Sequence, residues 1–258
     1  LSGISPEKLR EWHGTHIKNR TPLVVIVGDS EGTSLASYFV KHYSGSRFRE
    51  SALPQAHAQA LEAQEAIEGE WADDRSIVLL GFQAPLYGDS DRPVTEVLRR
   101  YLEKNQAGML QDGAQVQKII VSYAPRLRSG SFIAYAVVHP GSEDKAQEAM
   151  ERELRDSATG PYASREYRSA VNAAVGDFQL RQQEPFLQIT DVAMHVLAGN
   201  GIEGYRSFQS RLKAVREEEI RDAAEGIITL ERAVSLRIYG KEPAHISPVS
   251  QKPAAVEN

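Results

Sequence analysis

The clearest periodic signal in the chain is a run of apolar residues at Val94, Val97, Leu98, Tyr101 and Leu102. This is the i, i+3, i+4, i+7, i+8 spacing of one helix face, and it predicts a helix over 92–104. Short apolar runs of strand length predict strands at 22–28 (PLVVIVG), 76–82 (SIVLLGF), 116–124, 131–139 and 234–239. The runs at 116–124 and 131–139 are joined by the basic turn PRLRSG, which points to an antiparallel hairpin. The first strand, bounded by Pro22 and Gly28, reads as buried.

Helical spacing accounts for most of the remainder. Residues 5–20 predict a short polar helix with Leu9, Trp12 and Ile17 on its apolar side. Thr33 or Ser34 can cap a helix through Tyr43 with Leu35, Tyr38 and Phe39 on one face. Ser142 opens a helix carrying Ala146, Ala149, Met150 and Leu154, and Ser164 opens another that runs to Gln183, where Pro185 breaks the pattern. Phe186, Ile189, Val192, Ala193, Val196 and Leu197 mark a helix ended by Gly199 and Gly201. Tyr205, Phe208 and Leu212 mark the next, and 216–227 a last one with Ile220, Ala223 and Ala224 inward. The stretch from Ser44 to Trp71 is rich in Ser, Gly, Gln, Ala and Glu and reads as a linker with one Ala/Glu-rich helix near 56–68. Residues 243–258, with three prolines, read as a disordered tail. There is no internal repeat at solenoid period.

Composition narrows the class. The 258 residues are 41% apolar and 25% charged, ordinary for a folded domain. A net charge of −5, from 30 basic and 35 acidic residues, disfavours nucleic acid as a partner. A mean hydropathy of −0.41, with no apolar stretch near the ~20 residues a spanning helix requires, argues against a membrane span. Cysteine is absent, which removes disulfides, thiolate nucleophiles and cysteine zinc sites, and leaves the compartment open. The chain opens at Leu1 without a basic-then-apolar leader, so the expectation is a fragment whose targeting signal, if any, lies upstream.

Three segments invite a chemical reading. VVIVGDSEGTS (24–34) runs from a strand through two glycines into a helix, but it has no lysine after Gly32 and lacks the GxGxxG spacing. A plain strand–turn–helix junction, with Asp29 or Ser30 bonding nearby backbone, is the better reading. A nucleotide site on Gly28 and Gly32 is the weakest of the functional readings. GNGIEG (199–204) is a literal GxGxxG, yet it follows a helix, and a helix cap and loop accounts for it. His13 and His16 have i, i+3 spacing, but a glycine lies between them and no acidic third ligand follows them at a ligating spacing. His195 falls on the apolar stripe of its helix and reads as a hydrogen-bonded core histidine. No G-x-S-x-G occurs. The residues alone therefore describe an α+β protein without a self-contained catalytic constellation.

The order of these segments resembles the C-terminal half of the pitrilysin/insulinase family of zinc peptidases, which includes the mitochondrial processing peptidase subunits. SPEKLREWHGTHIKNRTPLVVIVGD is similar to the family's helix followed by a strand ending in Val-Gly-Asp. SIVLLGFQAPLYGDSDRPVTEVLRRYL resembles its strand, Ala-Pro loop, Asp and helix, and SGSFIAYAVVHPGSEDKAQEAMERELRD its Gly-x-Phe strand, Pro and following helix. SREYRSAVNAAVGDFQL and REEEIRDAAEGIITLERAVSLRIYG sit where the family has its long helix and its closing helix and strand.

The resemblance implies an α+β fold with helices packed on one face of a mixed, largely antiparallel sheet. Its division of the chain is a first-domain tail at 1–50, a linker at 51–72, a second, non-catalytic peptidase-like domain at 73–242 and the tail at 243–258. Two halves of the family enclose a peptide in a chamber, and the zinc motif, His-x-x-Glu-His with a distant Glu, belongs to the first domain of the active half. No histidine in this chain is followed by x-x-Glu-His, so no catalytic or metal residue is expected here, and zinc is expected in an N-terminal half or a homologous partner subunit. The family also uses an Arg and, seven residues on, a Tyr to hold substrate. Counting back from the Gly130–Phe132 strand, these positions fall on Gln111 and Lys118, which cannot do that work; a competing register uses Arg128 and Tyr135. The glycine-rich loop of the non-catalytic processing-peptidase subunit has only a poor counterpart in NQAGMLQDG (105–113). The resemblance therefore implies a non-catalytic half that helps enclose a peptide, or a catalytically inactive scaffold subunit of the same fold.

Overall fold

The computed structural model describes residues 4–18, 22–28, 32–43, 62–104, 115–160 and 162–241. Five strands form one sheet in the order β1-β5-β2-β4-β3, with β1 at Glu65–Glu70, β2 at Ser76–Ala84, β3 at Val116–Pro125, β4 at Gly130–Val138 and β5 at Val234–Tyr239. All neighbours pair antiparallel except β1 and β5, which run parallel, so the sheet is mixed and largely antiparallel. The expected hairpin is β3–β4, with Pro125 opposite Gly130 across the turn.

Burial in β2 and β4 alternates strictly. Val78, Leu80 and Phe82 point to one face with Phe132, Ala134 and Ala136, all nearly inaccessible, while Ile77, Leu79, Ile133 and Tyr135 on the other face are half-buried. The period-2 geometry of a strand makes this sorting automatic once one face is covered. Each fully buried Leu or Phe there contributes about 1.5–3 kcal/mol.

Helices cover that face. α3 (Arg92–Lys104), α4 (Glu143–Thr159) and the last helix, α8 (Glu217–Ile227), pack directly on the strands, and α5 (Ser164–Gln183) and α7 (Gly201–Ala214) pack on α3. α6 (Pro185–Leu197) lies against α5 and α7. Local chemistry sets the helix ends. Pro185 opens α6 at a position that needs no N–H, and the Glu184 side chain accepts from the Phe186 N–H at 3.2 Å. Gly199, at φ +86°, turns the chain out of α6, and the rest of GNGIEG leads into the start of α7. The Glu219 side chain accepts the Arg216 N–H at 2.7 Å and so caps the start of α8. Arg237 on β5 reaches Gln147 at 2.6 Å and Asp144 at 2.7 Å, tying α4 to the sheet.

Two expectations are corrected. Residues 65–68, read as part of an Ala/Glu helix inside the 51–72 linker, lie in β1; residues 56–61 of that helix lie outside the described ones. Helix propensity is a weak preference, and here the ladder to β5, from Glu65 opposite Val234 to Glu70 opposite Tyr239, overrides it. Residues 22–28 are not a buried strand: they join no ladder among the described residues, and Leu23, Val24 and Ile26 are exposed. A strand requires a partner edge for its backbone groups, and none of the five strands supplies one. The apolar sides of α1 (Pro6–His13), of the π-helical turn after it (Gly14–Lys18) and of α2 (Gly32–Tyr43) are likewise real in spacing but uncovered, with Leu9, Trp12, Ile17, Leu35 and Tyr38 exposed. Asp29, Ser30 and residues 243–258 lie outside the described residues.

Candidate functional site

A cleft of about 1100 Å³ opens between the β3–β4 hairpin and helices α3, α5 and α6. Its position follows from local chemistry. The Asp89 carboxylate accepts the Leu86 N–H at 2.7 Å and closes the turn after β2, and Thr95 Oγ1 donates to the Asp91 carbonyl at 2.9 Å, so α3 starts with Arg92 beneath the hairpin. The Tyr87 N–H donates to the Arg126 carbonyl at 2.9 Å, and the Tyr123 hydroxyl to the Pro85 carbonyl at 2.8 Å, locking the loop and the hairpin together.

Arg92 is the centre of the cleft floor. It is 6% exposed, its guanidinium carbon lies 3.6 Å from the Tyr87 ring centroid and 4.2 Å from that of Phe208, and its Nη1 is 3.2 Å from Nε2 of His195. Cation–π contacts of this kind are worth about 2 kcal/mol when desolvated. Beside it, Arg181 holds the buried Asp191 through bonds of 3.0 and 2.6 Å, and the Tyr87 hydroxyl donates to Asp191 at 3.3 Å. Along the wall, Arg99 reaches Asp177 at 2.9 Å and Glu103 at 3.1 Å, and Arg100 shares the same two carboxylates.

The ionisation states follow from this packing. Burial, reinforced by Asp191, pushes the Tyr87 phenol up to about 12, so it stays a donor. Burial, with the Arg92 charge beside it, lowers His195 to about 4, so it is neutral near pH 7. Burial raises Glu96 against the opposing pull of Arg99 and Arg92, and raises the Tyr123 phenol. His195 is thus the hydrogen-bonded core histidine expected from its place on the apolar stripe. Spacing within α3 identifies its buried face but gives no hint that Arg92 would meet His195, or that Tyr87 would meet Asp191; those two contacts span 103 and 104 residues.

The other candidates do not converge on this centre. Lys118 is exposed on β3, and Gln111 lies outside the described residues, as does the whole of 105–113. Arg128 is exposed in the hairpin turn and lines the cleft, while Tyr135 sits mid-β4 on the face turned away from the helices. His13 ends α1 and is exposed, and His16 stacks against Trp12 with ring centroids 5.2 Å apart. Among the described residues no three His, Asp or Glu side chains converge so as to hold a metal ion, and the residues present do not fit a zinc site. No helix among the described residues is long and apolar enough to cross a membrane.

Solved structures with the same architecture place the fold. A protease from Helicobacter pylori matches with a TM-score of 0.77 at 14% identity, covering 92% of this chain and 60% of its own. A peptidase M16 inactive domain from Pseudomonas fluorescens matches at 0.74 and 9% identity, covering 92% and 58%. A mutant of the ferredoxin protease FusC in complex with Arabidopsis ferredoxin matches at 0.65 and 13%, covering 93% and 27%. The fold is that of an α+β peptidase-like domain, and the chain spans three-fifths or less of the length of these structures. The family follows from the sequence: the family model of the peptidase M16 inactive domain matches residues 3–174, and the chain belongs to that family. The resemblance to the C-terminal half of the pitrilysin/insulinase zinc peptidases is thereby established, and with it the α+β fold. No curated protein sequence matches the chain.

Proposed function

We propose that this chain is the non-catalytic C-terminal half of an M16-type zinc peptidase, forming part of the wall that encloses a peptide, with the zinc motif on an N-terminal half or on a homologous partner subunit. The observation that carries this reading is the match to the inactive-domain model over residues 3–174 in a chain that contains no His-x-x-Glu-His. The division into a first-domain tail at 1–50, a linker from 51 and a second domain ending at 242 belongs to the same proposal, with the sheet of the second domain taking in β1 at Glu65–Glu70. The uncovered apolar residues of 4–43 support a further surface for that tail to pack against. The complex of FusC with ferredoxin supports a protein or peptide as the enclosed molecule.

The test is turnover. The chain incubated with zinc and a fluorogenic unstructured peptide gives no chelator-sensitive cleavage, and adding a zinc-bearing M16 half that co-purifies with it yields cleavage. Robust chelator-sensitive turnover by this chain alone would overturn the proposal.

The second reading, an inactive scaffold subunit of the same fold, is favoured by one feature. Gln111 and Lys118 stand where the resemblance places a substrate-holding Arg and Tyr; Gln111 lacks the fixed charge and Lys118 lacks the phenol. A co-purifying half whose own zinc motif is broken decides for the scaffold.

A further inference from the structure

A buried guanidinium without a counter-charge is costly, because the desolvation of the cation is not offset by an anion. Arg92 is close to that position: 6% exposed, with no carboxylate in direct ion-pair contact among the described residues and no hydrogen-bond partner for its Nε, its nearby counter-charge being Glu96 on the same cleft wall, which Arg99 also holds. His195, its hydrogen-bonding neighbour, is itself neutral near pH 7. The rings of Tyr87 and Phe208 soften the cost but carry no charge.

The same imbalance continues to the rim. Asp191 is taken by Arg181, and Asp177 by Arg99 and Arg100. Arg126 and Arg128, both exposed on the hairpin turn and lining the cleft, join no ion pair among the described residues. The cleft is thus lined by Arg92, Arg99, Arg126, Arg128 and Arg181 against the carboxylates of Glu96, Asp177 and Asp191, a cationic excess in a chain whose net charge is −5. Cations concentrated in a cleft against the overall sign of the protein focus the field on an anion.

Shape selects the kind of anion. At about 1100 Å³ the cleft is at the upper end of ligand pockets and far larger than an inorganic ion. Its walls include Leu127, Leu180 and Met194. The consecutive residues Ile120, Val121, Ser122 and Tyr123 all border it, although neighbours on a strand point to opposite faces, so the cleft follows the rim of β3 rather than one surface. β3 ends the sheet, and its outer side has no strand partner among the described residues. A free strand rim beside apolar walls suits an extended backbone, which can add to the sheet while its side chains enter the cleft.

We infer that this cleft is a docking site for an acidic, extended peptide segment, whose carboxylates are held by Arg126 and Arg128 at the mouth and by Arg92 at the floor. The inference rests on the charge and shape of the cleft and stands whether or not the chain forms a peptidase chamber.

The experiment is fluorescence anisotropy of the 258-residue chain with a labelled, unstructured Glu-rich peptide, its Gln-for-Glu counterpart, and inorganic phosphate as competitor at matched ionic strength. The expected result is saturable binding of the Glu peptide that weakens with salt, no comparable binding of the Gln peptide, and no displacement by millimolar phosphate. Arg126→Glu with Arg128→Glu, both surface changes, weakens binding roughly tenfold or more. Arg92→Gln weakens it further, provided its circular dichroism matches the parent. Equal binding of the Glu and Gln peptides, displacement by phosphate, or unchanged affinity in the Arg126/Arg128 double variant overturns the inference. A peptidase assay tests the chamber proposal separately, so failure of one is distinguishable from failure of the other.

Discussion

Nη1 of Arg92 lies 3.2 Å from Nε2 of His195, and both side chains are buried. A guanidinium can only donate, so Nε2 accepts and the imidazole proton sits on Nδ1, which has no partner of its own among the described residues. The pair joins α3 to α6 and holds the floor of the cleft.

This pair makes stability depend on pH. His195 is lowered to about 4 from an ordinary value of 6.5. Above pH 6.5 it is neutral in both folded and unfolded chains. As pH falls from 6.5 towards 4, the unfolded chain takes up a proton that the native chain refuses, so stability declines by about 1.4 kcal/mol per pH unit, ~3 kcal/mol in all. Urea unfolding of the parent and of His195→Gln across that range measures this, and the variant lacks the increment in slope.

Removing either partner of Arg181 and Asp191 should not cost the same. Asp191 is nearly inaccessible, while Arg181 is 43% exposed and can turn to water when its partner is gone. Arg181→Met leaves a buried carboxylate with, among the described residues, only the Tyr87 hydroxyl, and costs about 3–5 kcal/mol. Asp191→Asn costs about 1.5–3 kcal/mol. Chemical denaturation that ranks the two the other way would contradict this placement.

Gly130 is required by contact rather than by torsion. A Cβ there would lie 2.2 Å from the backbone oxygens of both Ala84 and Pro85. Gly130→Ala must push the hairpin away from the end of β2, and a loss of about 3 kcal/mol or more is expected from overpacking against backbone. Thermal unfolding checks it, and the same variant should weaken the Tyr87–Arg126 backbone bond that shapes the cleft.

Phe132 and Ile67 provide a contrast within one sheet. Phe132, fully buried on β4, loses about 3–5 kcal/mol on replacement by Ala. Ile67, 45% exposed on the edge strand β1, changes stability by about 0.5 kcal/mol or less on the same replacement. Urea midpoints of the two variants give the comparison directly.

The elements of the body were legible wherever periodicity was strong. The α3 bounds, the β3–β4 hairpin, the break at Pro185 and the closing strand all arise from spacing and from backbone rules that act within a few residues. Glu65–Glu70 was not legible, because Ala and Glu favour helix locally and only a distant partner, β5, makes the segment a strand. Pro22–Gly28 fails in the opposite sense: its apolar run suits a strand, but a strand forms only where another edge takes its hydrogen bonds.

The residues read in order were enough to establish most of the succession of helices and strands, the absence of cysteine chemistry and of a His-x-x-Glu-His motif, and the family resemblance carried by that succession. It took the folded chain to bring Arg92, Tyr87, Asp191, Arg181 and His195 into one cleft. The reason is range. Local patterns encode which face of each element is apolar, whereas the pairing of buried polar groups depends on how α3, α5, α6 and the hairpin settle against one another, and no spacing along a single element records that.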